Sequence, residues 1–219
     1  RSTRSNLTVG GVVGQNRKRS SVTNMQVKVS TDSVVFNGFS GYRYLGGIVG
    51  DNSGNVTQSG FSGIIKENTG AAGNCYGGIA GINQKNATLN ECNIGKITME
   101  IQGVYTATST STAAQKEALA THAGGVVGKN EEGALVDSCT IENHADSKFT
   151  ATYGMLGGIA GFNKGTIQMS GSDVTPKVME GVTDIENLTA NASAADKGNL
   201  RADTTYIRWR DNAKIEDVT

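Results

Sequence analysis

The stretch YLGGIVGDNSGNVTQSG, residues 44–60, places three glycines within five positions and an Asn two places after the third. Glycine loses more backbone freedom on folding than any other residue and gives a core no side chain. One such cluster would say little. The spelling occurs five times, as VGGVVGQN at 9–16, LGGIVGDN at 45–52, YGGIAGIN at 76–83, AGGVVGKN at 123–130 and LGGIAGFN at 156–163. The repeated positions are Gly10, Gly11, Gly14 and Asn16; Gly46, Gly47, Gly50 and Asn52; Gly77, Gly78, Gly81 and Asn83; Gly124, Gly125, Gly128 and Asn130; Gly157, Gly158, Gly161 and Asn163. These motifs hold 15 of the 30 glycines, so glycine is placed and not simply abundant.

Between the glycines stand Val12-Val13, Ile48-Val49, Ile79-Ala80, Val126-Val127 and Ile159-Ala160. A β-branched residue there suits a short strand with an apolar inner face, whose flanks approach another backbone closely or take positive φ. The following Asn tolerates left-handed backbone and hydrogen-bonds its own turn. Stacked at one place in successive coils, such side chains form an amide ladder. After each Asn comes a polar turn and then a β-prone segment: SVTNMQVKV, NVTQSGFSGII, ATLNECNIGKITMEI, ALVDSCTIEN and TIQMSGSDVT. Counted from the last motif glycine, Met25, Cys92 and Cys139 share one offset and Gly60 and Gly171 fall one residue earlier, which we read as a single interior position.

The motif spacings of 36, 31, 47 and 33 residues are too uneven for equal propeller blades and suit a solenoid whose turns carry insertions. Each spacing is long enough for two rungs of ordinary strands. The predicted class is all-β, a parallel β-helix or β-solenoid. One amphipathic helix is predicted at 112–123, TAAQKEALATHA, inside the longest spacing. The repeat domain is assigned to 1–175. From Pro176 to Thr219 no GGxxG occurs and charge concentrates, so 176–219 reads as a polar cap or a connection to a following domain.

Twenty basic and twenty acidic residues give a net charge of zero, so no global field recruits nucleic acid or an anionic membrane. No apolar run is long enough to insert into a bilayer. The chain starts at Arg1 without a Met and reads as a piece of a longer protein. Three cysteines, with no C-x-x-C, argue against a disulfide framework or zinc knuckle, and all three read as buried small hydrophobes; whether Cys75 is exposed enough to react stays open.

Five copies of G-G-[IV]-[VA]-G-x-N resemble the GLUG repeats of bacterial surface proteins, found in streptococcal immunoglobulin A proteases and adhesin-like proteins. The resemblance covers residues 9 to about 175. It implies a secreted, wall-attached or otherwise extracellular bacterial protein and a solenoid shape. The motif occurs in parents of different activity, so it says little about function.

The zinc-binding H-E-x-x-H helix of those proteases is missing. His122 and His144 stand apart and read as surface or loop histidines. No nucleophile elbow or phosphate-binding loop occurs, since a strand and a polar turn follow each glycine cluster where a helix would be needed. Glu131, Glu132 and Asp137 are the carboxylates to test for sugar cleavage, but neighbours on a strand face opposite ways, which favours a solvated turn. Asp51, Asn52 and Asn55 around Gly54 lack the dense acidic pattern of calcium-binding repeats. The expectation is no catalytic set, no cofactor and no metal. Recognition falls on FNGFSGYRYL, 36–45, where Phe39, Tyr42, Arg43 and Tyr44 offer rigid aromatic faces and a cation. The alternative is that this cluster packs the coil. Arg1, Arg4, Arg17, Lys18, Arg19 and Lys28 all precede the first acid, Asp32, a basic edge suited to an acidic neighbour or wall polymer.

The functional expectation is a noncatalytic scaffold or adhesion segment that contacts a host glycoprotein or glycan and other domains of its parent chain. The competing expectation is a substrate-positioning region of an immunoglobulin A protease-like metallopeptidase whose zinc site lies outside this sequence.

Overall fold

A computed structural model of the chain describes residues 7–29, 43–67, 73–101, 112, 115, 120–141, 148–151, 155–172, 200–202, 207–209 and 214–215. Each copy of the motif builds one coil of four short strands. The first coil contains β1 (Leu7–Gly10), β2 (Val13–Asn16), β3 (Ser21–Thr23) and β4 (Gln26–Lys28). The second contains β5 (Arg43–Gly46), β6 (Val49–Asn52), β7 (Asn55–Thr57) and β8 (Gly60–Glu67). The third contains β9 (Cys75–Gly77), β10 (Ala80–Asn83), β11 (Thr88–Asn90) and β12 (Asn93–Ile101). The fourth contains β13 (His122–Gly124), β14 (Val127–Asn130), β15 (Leu135–Asp137) and β16 (Thr140–Ile141), with β17 (Lys148–Ala151) paired to β12. The fifth contains β18 (Met155–Gly157), β19 (Ala160–Asn163), β20 (Thr166–Gln168) and β21 (Gly171–Ser172).

Like strands of successive coils pair in parallel, giving four sheets that run the length of a β-solenoid. Each repeat is therefore one rung. The spacing suggests two because four short strands and a long connection fill the same length. In the tail, β22 (Leu200–Ala202) and β23 (Ile207–Trp209) pair antiparallel, and β24 (Lys214–Ile215) adds to β20 at the end of the third sheet.

Register makes each position a row through the stack. The residue between the motif glycines turns the corner from first to second sheet, and Ile48, Ile79 and Val126 there are fully buried. In the third sheet the row Val22, Val56, Leu89, Val136 and Ile167 forms a core spine. Cutting Leu89 to Ala removes a filled site between two rungs and costs about 2–5 kcal/mol.

The motif glycines are needed for close approach. A Cβ on Gly46 would overlap the Val49 carbonyl oxygen, one on Gly47 the Gly78 carbonyl oxygen, and one on Gly50 would lie 2.5 Å from the Val9 nitrogen in the preceding coil. First and second sheets thus meet backbone to backbone. Left-handed glycine occurs instead at Gly73 and Gly133, outside the motifs.

Three expectations change. Each β-prone segment after the Asn is two strands, because Asn24, Gln58, Glu91, Ser138 and Met169 take positive φ and turn the chain between third and fourth sheets. The residue after that corner is Met25, Ser59, Cys92, Cys139 or Ser170, so serine fills two rungs of the row while Gly60 and Gly171 belong to the next position. Counting from the motif glycine failed because the turns after Asn52 and Asn163 are two residues shorter than the others. Met25, in the first coil, is 40% exposed, whereas Cys92 and Cys139 are buried. Finally, Thr112 and Gln115 form a reciprocal helix-start pair, Thr112 N–H to Gln115 Oε1 at 2.8 Å and Gln115 N–H to Thr112 Oγ1 at 3.2 Å. The predicted helix does not reach 123, since His122–Gly124 is drawn into the first sheet between β9 and β18.

Candidate functional site

The repeated Asn residues form one buried line of side chains. Asn16 Nδ2 donates to Asn52 Oδ1 at 2.8 Å, Asn52 to Asn83 at 2.8 Å, Asn83 to Asn130 at 2.9 Å and Asn130 to Asn163 at 2.8 Å. The second hydrogen of each donor bridges to the third sheet, reaching the carbonyls of Asn55, Thr88, Leu135 and Thr166. In the two short turns the oxygen also accepts a backbone N–H, from Gly54 or Gly165. This ladder pins the second sheet to the third in every coil, so the repeated polar residues are used by the architecture.

The chemically richest row lies in the first sheet, two residues before the first glycine of each motif: Thr8, Tyr44, Cys75, His122 and Met155. Cys75 Sγ lies 3.8 Å from His122 Nδ1. The imidazole ring sits 5.1 Å from that of Phe162 in the second sheet, and Lys129 and Lys164 hold their ammonium groups 5.8 and 5.6 Å from the Phe162 centroid. His122 is 1% exposed, which overturns its reading as a surface residue. Burial, then the charges of Lys129 and Lys164, hold its pKa well below 6.5, so the ring is neutral near pH 7. His122 Nε2 and Asn74 Oδ1 are buried without a hydrogen-bond partner.

Half-buried Tyr44 has its phenol pKa raised, first by burial and then by Cys75, with Asp51 and Glu131 adding and Lys129 opposing. A thiol beside an imidazole is the pairing of a cysteine nucleophile and its base. Here Cys75 is only 2% exposed, so a substrate carbonyl has no approach to the sulfur. This also settles Cys75 as a buried residue.

The remaining candidates separate. Phe39, Tyr42 and His144 lie outside the described residues, and of Arg43 the backbone, in β5, is described. Glu131 is held by Lys129 at 2.6 Å, Glu132 is exposed and Asp137 lies in β15. Asp51 accepts from Gln15 Nε2 at 3.3 Å and Gln84 Nε2 at 3.1 Å, a side-chain bridge across three coils. Among the described residues no three His, Cys, Asp or Glu side chains gather to hold an ion. Aligning the five motifs on their glycines would have found the Tyr44–Cys75–His122 row, because each residue stands two places before its first glycine.

No family model, curated protein or solved structure matches the chain.

Proposed function

We propose that this chain is a noncatalytic repeat scaffold of a large secreted or cell-surface bacterial protein, and that it contacts host glycoproteins or glycans through the segments that connect one coil to the next. The observation that carries the reading is where sequence length varies. Within a coil the first three strands keep three or four residues each and the turns between strands differ by at most two residues, while the fourth strand runs from two to nine. The segments that follow the fourth strand, residues 29–42, 68–74, 102–121 and 142–154, vary most in length and lead from the fourth sheet back to the first, the last of them carrying β17, which pairs with β12 in the fourth sheet. A rigid stack with variable connecting segments is the usual division of labour between frame and recognition. These connecting segments include residues 36–42, with Phe39 and Tyr42, of the aromatic stretch 36–45 and residues 104–121 of the insertion at 104–123, the rest of each stretch lying in β5 or β13. The GLUG-like spelling supports the bacterial surface setting.

The test is a glycan and host-glycoprotein array, immunoglobulin A included, probed with the chain and with a Phe39→Ala, Tyr42→Ala variant of equal melting temperature. Tyr44 is better changed to Phe, because its ring is half-buried in the first sheet. Saturable binding that the double variant loses is the expected result. Silence from both proteins would remove the recognition role and leave a spacer.

A further inference from the structure

Two sulfurs meet at the corner between third and fourth sheets. Asn93 pairs with Thr140 in register, and Thr140 N–H donates to the Cys92 carbonyl at 2.9 Å. Cys92 and Cys139, each one residue earlier, are therefore neighbours in one row on consecutive coils. Neighbouring strands stand about 4.8 Å apart, inside the range of about 4.4–6.8 Å between Cα atoms that a disulfide spans. The Cys139 sulfur leans back over the coil of Cys92, 3.7 Å from the Leu89 carbonyl oxygen and against both the thiol and the backbone N–H of Cys92.

Neither the architecture nor burial asks for sulfur at this corner. Ser59 and Ser170 fill the same row in the coils on either side, and all four residues are at most 1% exposed. The serines also serve the preceding coil, Ser59 Oγ accepting Met25 N–H at 3.2 Å and Ser170 Oγ accepting Cys139 N–H at 3.0 Å, a task for which a thiol is the weaker group. Contact between the two thiols divides their chemistry. The hydrogen bond from Cys139 is the first cause lowering the pKa of Cys92, and the same contact, then burial, raises that of Cys139, so Cys92 is the more readily formed thiolate. The two positions are 47 residues apart, the longest of the four motif spacings. A bond across the longest connection removes the most freedom from the unfolded chain.

We propose that Cys92 and Cys139 form a redox modification site, joined by a disulfide that staples the third coil to the fourth. All three cysteines are free thiols in the structure, which is the reduced state. The oxidant is a small-molecule or protein disulfide. The Cys92 thiolate attacks one of its sulfurs, the carrier S–S bond breaks and one carrier thiolate leaves. Cys139 then loses its proton and attacks Cys92 Sγ, the bond within the chain forms and the second carrier thiolate leaves. The carrier thus takes up two electrons, and its two thiolates take up the two protons. Because the finished stack seals both sulfurs, exchange takes place while the fourth coil is closing onto the third. Cys75 lies in the first sheet between Tyr44 and His122, with no cysteine beside it in its row, and stays a thiol. Formation of the bond outside the cell rests on the surface setting proposed above, whereas its geometry does not.

The test brings the full chain to equilibrium in a fixed mixture of reduced and oxidised glutathione, with and without urea, starting from the unfolded reduced chain and from the unfolded oxidised chain. Free thiols are then blocked with iodoacetamide and the digest is mapped by mass spectrometry. The expected result is a linked Cys92–Cys139 peptide with Cys75 alkylated, and a ratio of linked to dithiol chain about a hundredfold greater in the folded protein than in urea. An equal or smaller ratio in the folded protein means that the rungs hold the two sulfurs wrongly for a bond, and overturns the proposal. A predominant link that maps to Cys75 overturns it as well. Silence on the glycan and glycoprotein array would remove the recognition reading and leave this outcome untouched, so the two failures are distinguishable.

Discussion

Asn83 is the middle amide of the ladder, and Asn83→Ala strands two groups at once: Asn52 Nδ2 loses its side-chain acceptor and Asn130 Oδ1 its donor. Two buried polar groups left short cost about 2–4 kcal/mol together, read as a shift in urea midpoint; a change near zero would show that the ladder is dispensable. Glycines divide in the same way. Gly47→Val drives a side chain into the Gly78 carbonyl and the Phe61 ring and should abolish a cooperative melt, whereas a Cβ at Gly133, φ 75°, meets only ordinary contacts with the Asn86 and Lys85 side chains at 3.6 Å, so Gly133→Asn should stay within about 1 kcal/mol of the parent. Asn86 already holds that conformation one coil earlier. His122 sets a pH dependence. Its folded pKa lies below the unfolded value, so the unfolded chain binds the extra proton and stability falls as pH drops below about 6.5. The loss should flatten in His122→Gln, seen in melts from pH 7.5 to 5. The motif glycines and Asn could be read from the sequence because each repeats its own reason. His122 could not, since burial depends on rows above and below it.

The corner between third and fourth sheets shows what an element's sequence conceals. One residue in each of the five coils takes left-handed backbone there, and only Asn24 is of a type that advertises it. Gln58, Glu91, Ser138 and Met169 are each held by the side chain of the next residue. Ser59 Oγ donates to the Thr57 carbonyl at 2.9 Å and Ser170 Oγ to that of Gln168 at 2.9 Å, while the thiols of Cys92 and Cys139 point at the carbonyls of Asn90 and Asp137, each at 3.4 Å. One small donor, hydroxyl or thiol, thus closes the corner in four coils. Met169→Gly should relieve the strain and stabilise the fold by about 1 kcal/mol, measurable by denaturant titration; destabilisation would mean that the side chain packs usefully. Segments such as ALVDSCTIEN read as one strand because a single non-glycine kink leaves the apolar alternation on both sides intact.

At the scale of the whole chain, five copies of one spelling made the parallel solenoid legible, while the order of four strands per coil needed the register. The candidate recognition stretch was legible only as composition, because aromatic content does not say which faces a coil will cover. A solid stack predicts sealed sulfur: Cys75, Cys92 and Cys139 are all at most 2% exposed, so a disulfide thiol reagent should find no reactive group in the folded chain and three in denaturant. Rapid labelling of the native protein would contradict the packing. The Asn ladder has a further consequence. All its amides point the same way, so their dipoles add head to tail, with the oxygen pole toward the first coil and the hydrogen pole toward the fifth. Turning one amide over would set oxygen against oxygen on one side and hydrogen against hydrogen on the other. The row therefore keeps a single sense from end to end, and a chain of zero net charge carries an electrical arrow along its axis.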